Sequence, residues 1–311
     1  MPYQIDQSKL PQFTNLELLA RMVVEGFIVG LHKSPFHGFS VEFSEHRLYN
    51  PGEPTRHIDW KLYGRTDRMY VKRYEEETNL RCQIIIDNSS SMYFPVLQEP
   101  DIDNPNKITF SVYAAAALMN LLRRQRDALG LSLFSEKMEL HTQSRSSSVH
   151  YKYLISEMEK LLVPVSPDTR KTSSVTESLH FIAENLHKRS LVVIFSDMFD
   201  VGYDQAALFD ALQHLRYNKH EVILFHVVDK NQELDFNFTN RPYRFIDIEN
   251  GDEVKVQPAE VRDAYASAVS TYTDNLKLKC GQYKIDFIEA DINKGFEQVL
   301  LPYLLKRERM H

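Results

Sequence analysis

The sequence predicts a doubly wound α/β fold, in which a mostly parallel sheet is flanked by helices. From about residue 80 onward, short apolar, β-branched runs alternate with longer segments that repeat apolar residues at helical spacing. The short runs are continuous rather than alternating, as strands covered by helices on both faces must be. The 311 residues, 43% of them hydrophobic and 26% charged, suffice for one large core with an appended segment.

In chain order, residues 15–31 (NLELLARMVVEGFIVGL) predict a helix, which Pro35 and Gly38 then end. Residues 39–74 read as a strand, a turn at Asn50-Pro51-Gly52, an irregular polar stretch and a second strand at 69–74. Residues 1–79 are therefore expected to form a helix-plus-β extension packed on a main domain of residues 80–311, since no flexible linker separates them.

In the main domain, strands are expected at 82–87 (CQIIID), 129–134 (LGLSLF), 190–196 (SLVVIFS), 221–228 (EVILFHVV) and 283–289 (YKIDFIE). Helices are expected at 106–128, 149–162, 174–188, 203–217, 258–280 and 294–309, where apolar residues recur with helical periodicity. Pro258 suits a first helical turn, and Lys306, Arg307 and Arg309 suit a last turn, where cations complement the helix dipole. An insertion near 243–257 (YRFIDIENGDEVKVQ) reads as a β-hairpin turned at Asn250-Gly251, expected to pad an edge of the sheet.

A formal net charge of −6 leaves no basic excess to neutralise phosphates, so nucleic acid is not an expected partner. The first residues lack the basic and apolar regions of a secretory signal, and no apolar run approaches the ~18 residues of a membrane span. Cys82 and Cys280 lie far apart in apolar surroundings and read as reduced core thiols. The expectation is a cytoplasmic protein with no membrane span.

Ligands of doubly wound sheets bind outside the carboxyl ends of the strands, where strand order reverses. There the 82–87 strand runs into Asp87-Asn88-Ser89-Ser90-Ser91. The chain has ten glycines and no G-x-G-x-x-G, G-x-x-x-x-G-K-[ST] or G-x-S-x-G pattern, which argues against nucleotide cradling and serine hydrolysis. A hard divalent cation fits better. Mg2+ takes oxygen ligands octahedrally and keeps several waters, so Asp87 with the hydroxyls of Ser89 and Ser91 supplies part of a shell. Two other junctions offer oxygens: Thr172, Ser173 and Ser174 precede a helix, and a strand ends at Ser196-Asp197 with Asp200 beyond.

A D-x-S-x-S motif after an apolar strand, a hydroxyl-rich loop and a later Phe-Ser-Asp together resemble the metal-ion-dependent adhesion site (MIDAS) of von Willebrand factor A domains. The resemblance implies that Ser89 and Ser91 bind the metal directly, Asp87 directly or through water, and Asp197 through water. Alignment on Leu179 makes Ser173 the second-loop ligand, whereas chemistry favours Thr172. Residues 38–77, including Gly38, Arg47, Pro51, Gly52, Arg56, Asp59 and Trp60, lead directly into that strand and resemble the bacterial family called domain of unknown function 58. Residues 245–256 (FIDIENGDEVKV), 303–309 (YLLKRER) and Lys107 agree with it. The family resemblance implies a von Willebrand A-like domain associated with MoxR-type AAA+ ATPases.

Plainer readings exist for several of these residues. Asp and Ser after a strand are ordinary helix caps, and Asp200 is read as one. Arg47, Arg56, Asp59, Trp60 and Arg65 read as a salt-bridged plug in preference to a binding surface. His32, His37, His46 and His57 match no zinc spacing. The functional expectation is a non-catalytic protein-binding module. In it a divalent cation, Mg2+ or alternatively Mn2+ or Ca2+, engages an acidic residue of a partner, by resemblance a MoxR-type ATPase or its client. The alternatives are a Mg2+-dependent phosphohydrolase with Asp87 as nucleophile, although Ser89 stands where such enzymes place a second Asp, and a scaffold with a vestigial site.

Overall fold

The computed structural model describes residues 15–33, 46–48, 60–72, 80–163, 171–199 and 205–310. The chain divides into two compact units, Ile28–Asn79 and Met1–Phe27 with Leu80–His311, and helix α1 (Asn15–Lys33) runs across the boundary. In the smaller unit, strand β1 (His46–Leu48), helix α2 (Trp60–Thr66) and strand β2 (Tyr70–Lys72) are described. The two strands pair antiparallel, with His46 opposite Lys72. Helix α2 stands where the sequence reads as irregular: its two turns are too short to show periodicity, and Asp67, at φ 53, closes it by donating its N–H to the Tyr63 carbonyl. The Arg47, Arg56, Asp59 and Trp60 plug, the four N-terminal histidines and Asp200 fall outside the described side chains.

The larger unit continues with β3 (Arg81–Asp87), α3 (Lys107–Arg124), β4 (Ala128–Phe134), β5 (Met138–His141), α4 (Ser148–Lys160), α5 (Val175–Asn185) and β6 (Leu191–Ser196). After these come α6 (Gln205–Tyr217), β7 (Glu221–Val228), β8 (Tyr243–Ile246), β9 (Glu253–Val256), α7 (Pro258–Gln282), β10 (Asp286–Asp291) and α8 (Glu297–Met310). Six strands form one sheet in the order β10-β7-β6-β3-β4-β5. Every pairing is parallel except β4 with β5.

This is a mixed α/β fold with a mostly parallel central sheet flanked by helices. Strands β3, β6 and β7 are buried almost end to end, which explains their unalternating Ile, Val and Leu. Helix α3 is buried from Lys107 through Leu122, and its Ala114–Ala117 run presents small side chains in the tightly covered centre. It packs against α4, α8 and the sheet. A helix apolar on all sides can be stable only when covered this way. The first turns of α1 bury Leu16, Ala20 and Val24, and Glu17 pairs with Arg123 of α3 at 2.6 Å.

Several expectations shift. The strand expected from residue 283 begins at Asp286, because α7 runs to Gln282 and closes in a Schellman motif. There Ile285 N–H donates to the Cys280 carbonyl (2.8 Å), Lys284 N–H donates to Gly281 (3.1 Å), and Lys284 is left-handed at φ 57. Lys306 and Arg307 reach across to strand starts instead of capping α8. Lys306 pairs with Glu221 and Asp286 (2.7 and 2.8 Å), and Arg307 with Asp127 (2.5 Å). The β8–β9 hairpin does not pad the main sheet but forms a separate two-stranded sheet, among Phe236, Phe238 and Tyr265. Cys82 and Cys280 are free, buried thiols, and burial pushes the Cys280 thiol up to about 12.

Candidate metal centre

The sheet order reverses at β3, with β4 and β5 to one side and β6, β7 and β10 to the other. The loops after β3 and β6 therefore flank the crevice that such a fold leaves open. Ile84, Ile85 and Ile86 anchor β3 in the core, and Asp87 is its last residue, fully buried. Asp87 Oδ1 accepts the Ser89 N–H at 3.0 Å, which turns the chain so that the hydroxyls of Ser89 and Ser91 share a hydrogen bond at 3.0 Å. Ser90 points elsewhere: its Oγ accepts the Lys171 N–H (2.8 Å) and its N–H donates to the Lys171 carbonyl (2.9 Å), tying this loop to the one before α5.

Across the crevice, Asp87 Oδ2 accepts the Ser196 hydroxyl at 2.7 Å and the Ser173 hydroxyl at 3.5 Å. Ser173 is buried, whereas Thr172 is exposed, with its N–H donating to Glu136 at 3.4 Å. Asp197 is fully buried; its Oδ1 accepts the Phe199 N–H at 3.1 Å and its Oδ2 accepts Lys107 Nζ at 2.7 Å. Met198, between them, holds a left-handed φ of 53 while fully buried, a strain characteristic of functional loops.

Lys107 opens α3, where Asn106 caps the helix by accepting the Thr109 N–H at 2.9 Å. Its ammonium, 1% exposed, bridges Asp197 and Glu233 (2.7 and 2.5 Å). Burial works against this charge, but the two carboxylates overcome it and raise the lysine pKa. Burial and the charge of Asp197 push the Asp87 carboxyl up to about 7, against the hydrogen bonds from Ser196 and Ser89. Glu249, on the β8–β9 turn, is also pushed up to about 7, by burial and then by Asp197, while the Ser91 hydroxyl and Asp87 act on it as well. His226 is driven down to about 4 by burial and is neutral at pH 7, consistent with its Nε2 donating to the Asp197 carbonyl (2.9 Å).

The donors brought together are carboxylates and hydroxyls at the ends of β3 and β6 and in the segment before α5, the hard oxygen set that suits Mg2+ with waters completing the shell. Among the described residues no group of three or more His, Cys, Asp or Glu side chains forms a metal cage by itself, so hydroxyls would have to contribute. Sequence reasoning did not assign Ser196 to Asp87, nor place Lys107, Glu233 and Glu249 at the crevice. Lys107 and Glu233 are 126 positions apart, and no local pattern links them. Beside the site, an open groove of about 800 Å3 is lined by Tyr93, Phe94, Leu162, Phe245 and Ile248.

A family profile described as "Protein of unknown function DUF58" matches residues 45–274, more than half of the chain. Uncharacterized proteins of Mycobacterium tuberculosis and Mycobacterium bovis are each 24% identical over 194 residues, 62% of this chain and 58% of theirs. The match thus spans less than two thirds of those relatives' length. Among solved structures, the conserved hypothetical protein BatB of Bacteroides thetaiotaomicron gives a TM-score of 0.44 at 14% identity, covering 75% of this chain and 100% of that one. An aerotolerance-related membrane protein of Bacteroides fragilis gives 0.43 at 13% identity, covering 71% and 96%. No described helix is long and apolar enough to cross a membrane.

Proposed function

This chain belongs to the DUF58 family, and we propose that it is a non-catalytic binding module built on a von Willebrand A-like domain. In this reading Asp87, Ser89, Ser91, Ser173 and Asp197 hold a divalent cation, Mg2+ in the first instance, and an acidic side chain of a protein partner completes its shell. One observation carries the reading: Ser89 and Ser91 present paired hydroxyls 3.0 Å apart beside an Asp87 whose other oxygen meets Ser173 and Ser196 from separate loops. Counted from β3, the sheet order is 3-2-1-4-5-6, the doubly wound order that places ligands at this reversal.

The bound cation would supply a Lewis-acidic centre for a carboxylate. This chain's own residues orient the hydroxyls, hold Asp87 by two loops and bury Asp197 against Lys107. We propose a MoxR-type AAA+ ATPase or its client, in the cytoplasm, as the partner; what supports this is the resemblance of residues 38–91 to proteins associated with such ATPases. A pull-down of the ATPase with this chain, with and without EDTA, tests it. The reading requires binding that is lost in EDTA and in Asp87→Ala, and equal binding by wild type and variant sinks it.

A second reading has its own observation. Lys107 already places a fixed positive charge against Asp197, as it would in a scaffold whose ammonium has replaced a metal. That reading requires no gain in melting temperature with Mg2+ or Mn2+, whereas a ligand of the folded state raises it.

A further inference from the structure

The turn between β8 and β9 carries Glu249 on a fixed backbone. Asp247 Oδ1 accepts the N–H groups of Glu249 (2.8 Å) and Asn250 (3.3 Å), and Asp247 N–H donates to the Asp252 carbonyl (2.8 Å). Gly251 takes φ 83, a conformation that side chains resist. Although it sits on a hairpin turn, Glu249 is only 7% exposed, and its Oε1 has no hydrogen-bond partner. A buried carboxylate oxygen without a donor is costly, and native proteins retain such groups for an ion, a water or a functional strain. Its neighbours Asp247 and Ile248 line the same groove as Ser90 and Tyr93 of the loop after β3, and the Ser91 hydroxyl hydrogen-bonds the Glu249 carboxyl, so this acid lies at the crevice already described.

We propose that Glu249 is an in-chain ligand of the cation, its free Oε1 taking the coordination position that a partner's acid would take. The inference rests on the cation-binding reading of Asp87, Ser89, Ser91 and Asp197. It adds that the hairpin closes the site until a partner carboxylate displaces Glu249. The exchange is balanced: one carboxylate leaves the cation as another arrives, so the charge of the shell is unchanged and no bond within either protein is broken. The partner must therefore bring an Asp or Glu, because a neutral side chain cannot replace the charge that Glu249 withdraws. An acid presented at the site competes with the hairpin.

The test is a Mn2+ titration of the full chain, followed by water-proton relaxation and electron paramagnetic resonance. Wild type is compared with Glu249→Ala, with the shape-preserving Glu249→Gln, and with Glu253→Gln as a control on the same hairpin. In Glu249→Ala the affinity for Mn2+ falls by about 10- to 100-fold. Each ion still bound relaxes more water, because a coordination position passes to solvent. Glu249→Gln falls between, and Glu253→Gln matches wild type. Wild-type affinity and relaxation in both Glu249 variants overturn the inference and leave the cation site standing. Absence of Mn2+ binding in wild type overturns the site reading, and this inference with it.

Discussion

Replacing Lys107 by methionine removes the ammonium from between Asp197 and Glu233. Asp197, fully buried, keeps the Phe199 N–H, and Glu233, whose side chain is 17% exposed, keeps the Asp229 N–H. Breaking a buried pair by deleting one partner costs about 3–5 kcal/mol, because the other charge stays buried. Methionine preserves the side-chain volume, so the packing loss is small. Partial solvation of Glu233 favours the low end, about 3 kcal/mol. For a domain of this size that is a fall in melting temperature of about 6–12 °C. In urea, with a slope of about 2 kcal/mol per molar, the midpoint falls by about 1.5 M. Circular dichroism in EDTA measures both. Without Lys107 the crevice is more negative, so Mg2+ stabilises the variant more than wild type; at a hundredfold excess over the variant's dissociation constant the variant's own gain is about 2.7 kcal/mol. A loss below about 1 kcal/mol in EDTA refutes the buried ion triad.

Asp87 leads to a pH effect. With its carboxyl pushed from 3.8 up to about 7, it contributes stability below its ordinary range that is lost as pH rises toward 7, and a cation must displace its proton. The Mg2+-induced rise in melting temperature is therefore larger at about pH 8 than at about pH 6, and Asp87→Asn flattens the difference; equal shifts in wild type contradict this. Gly130→Ala places a Cβ 2.1 Å from Gln83 Oε1 and 2.9 Å from the Thr142 carbonyl, and urea unfolding should show a loss of about 1–3 kcal/mol. Lys284→Gly relieves a left-handed non-glycine in the Schellman turn and should add about 0.5–1 kcal/mol by the same assay.

The parallel core was legible because burial on both faces leaves a direct trace. Ile84-Ile85-Ile86 and Leu191 to Phe195 are apolar at every position, and both became central strands. Edges and ends were less legible. The short strand β5 has three half-buried residues and one exposed over four positions, with no burial period to read. The start of β10 was displaced because Tyr283 and Ile285 are apolar yet serve the C-terminal cap of α7. At the site, Asp87 to Ser91 could be read locally because D-x-S-x-S is a contiguous pattern. Lys107, Glu233 and Glu249 could not be placed there, nor the bond from Ser196 to Asp87, since each depends on tertiary contact. Glu249 shows the difficulty most clearly: Asn250-Gly251 announces a hairpin, and nothing in that signal says where the residue before it points.

In the reading proposed above, the loops after β3 and β6 hold a divalent cation. Calorimetric titration of Mg2+ into the full chain, wild type beside Asp87→Ala and the Ser89→Ala, Ser91→Ala double variant, tests it most directly. Wild type should bind a single ion saturably, and both variants should lose that binding while their circular dichroism stays folded. Wild type that takes up no Mg2+, or variants that bind it equally well, would show that these loops hold no cation.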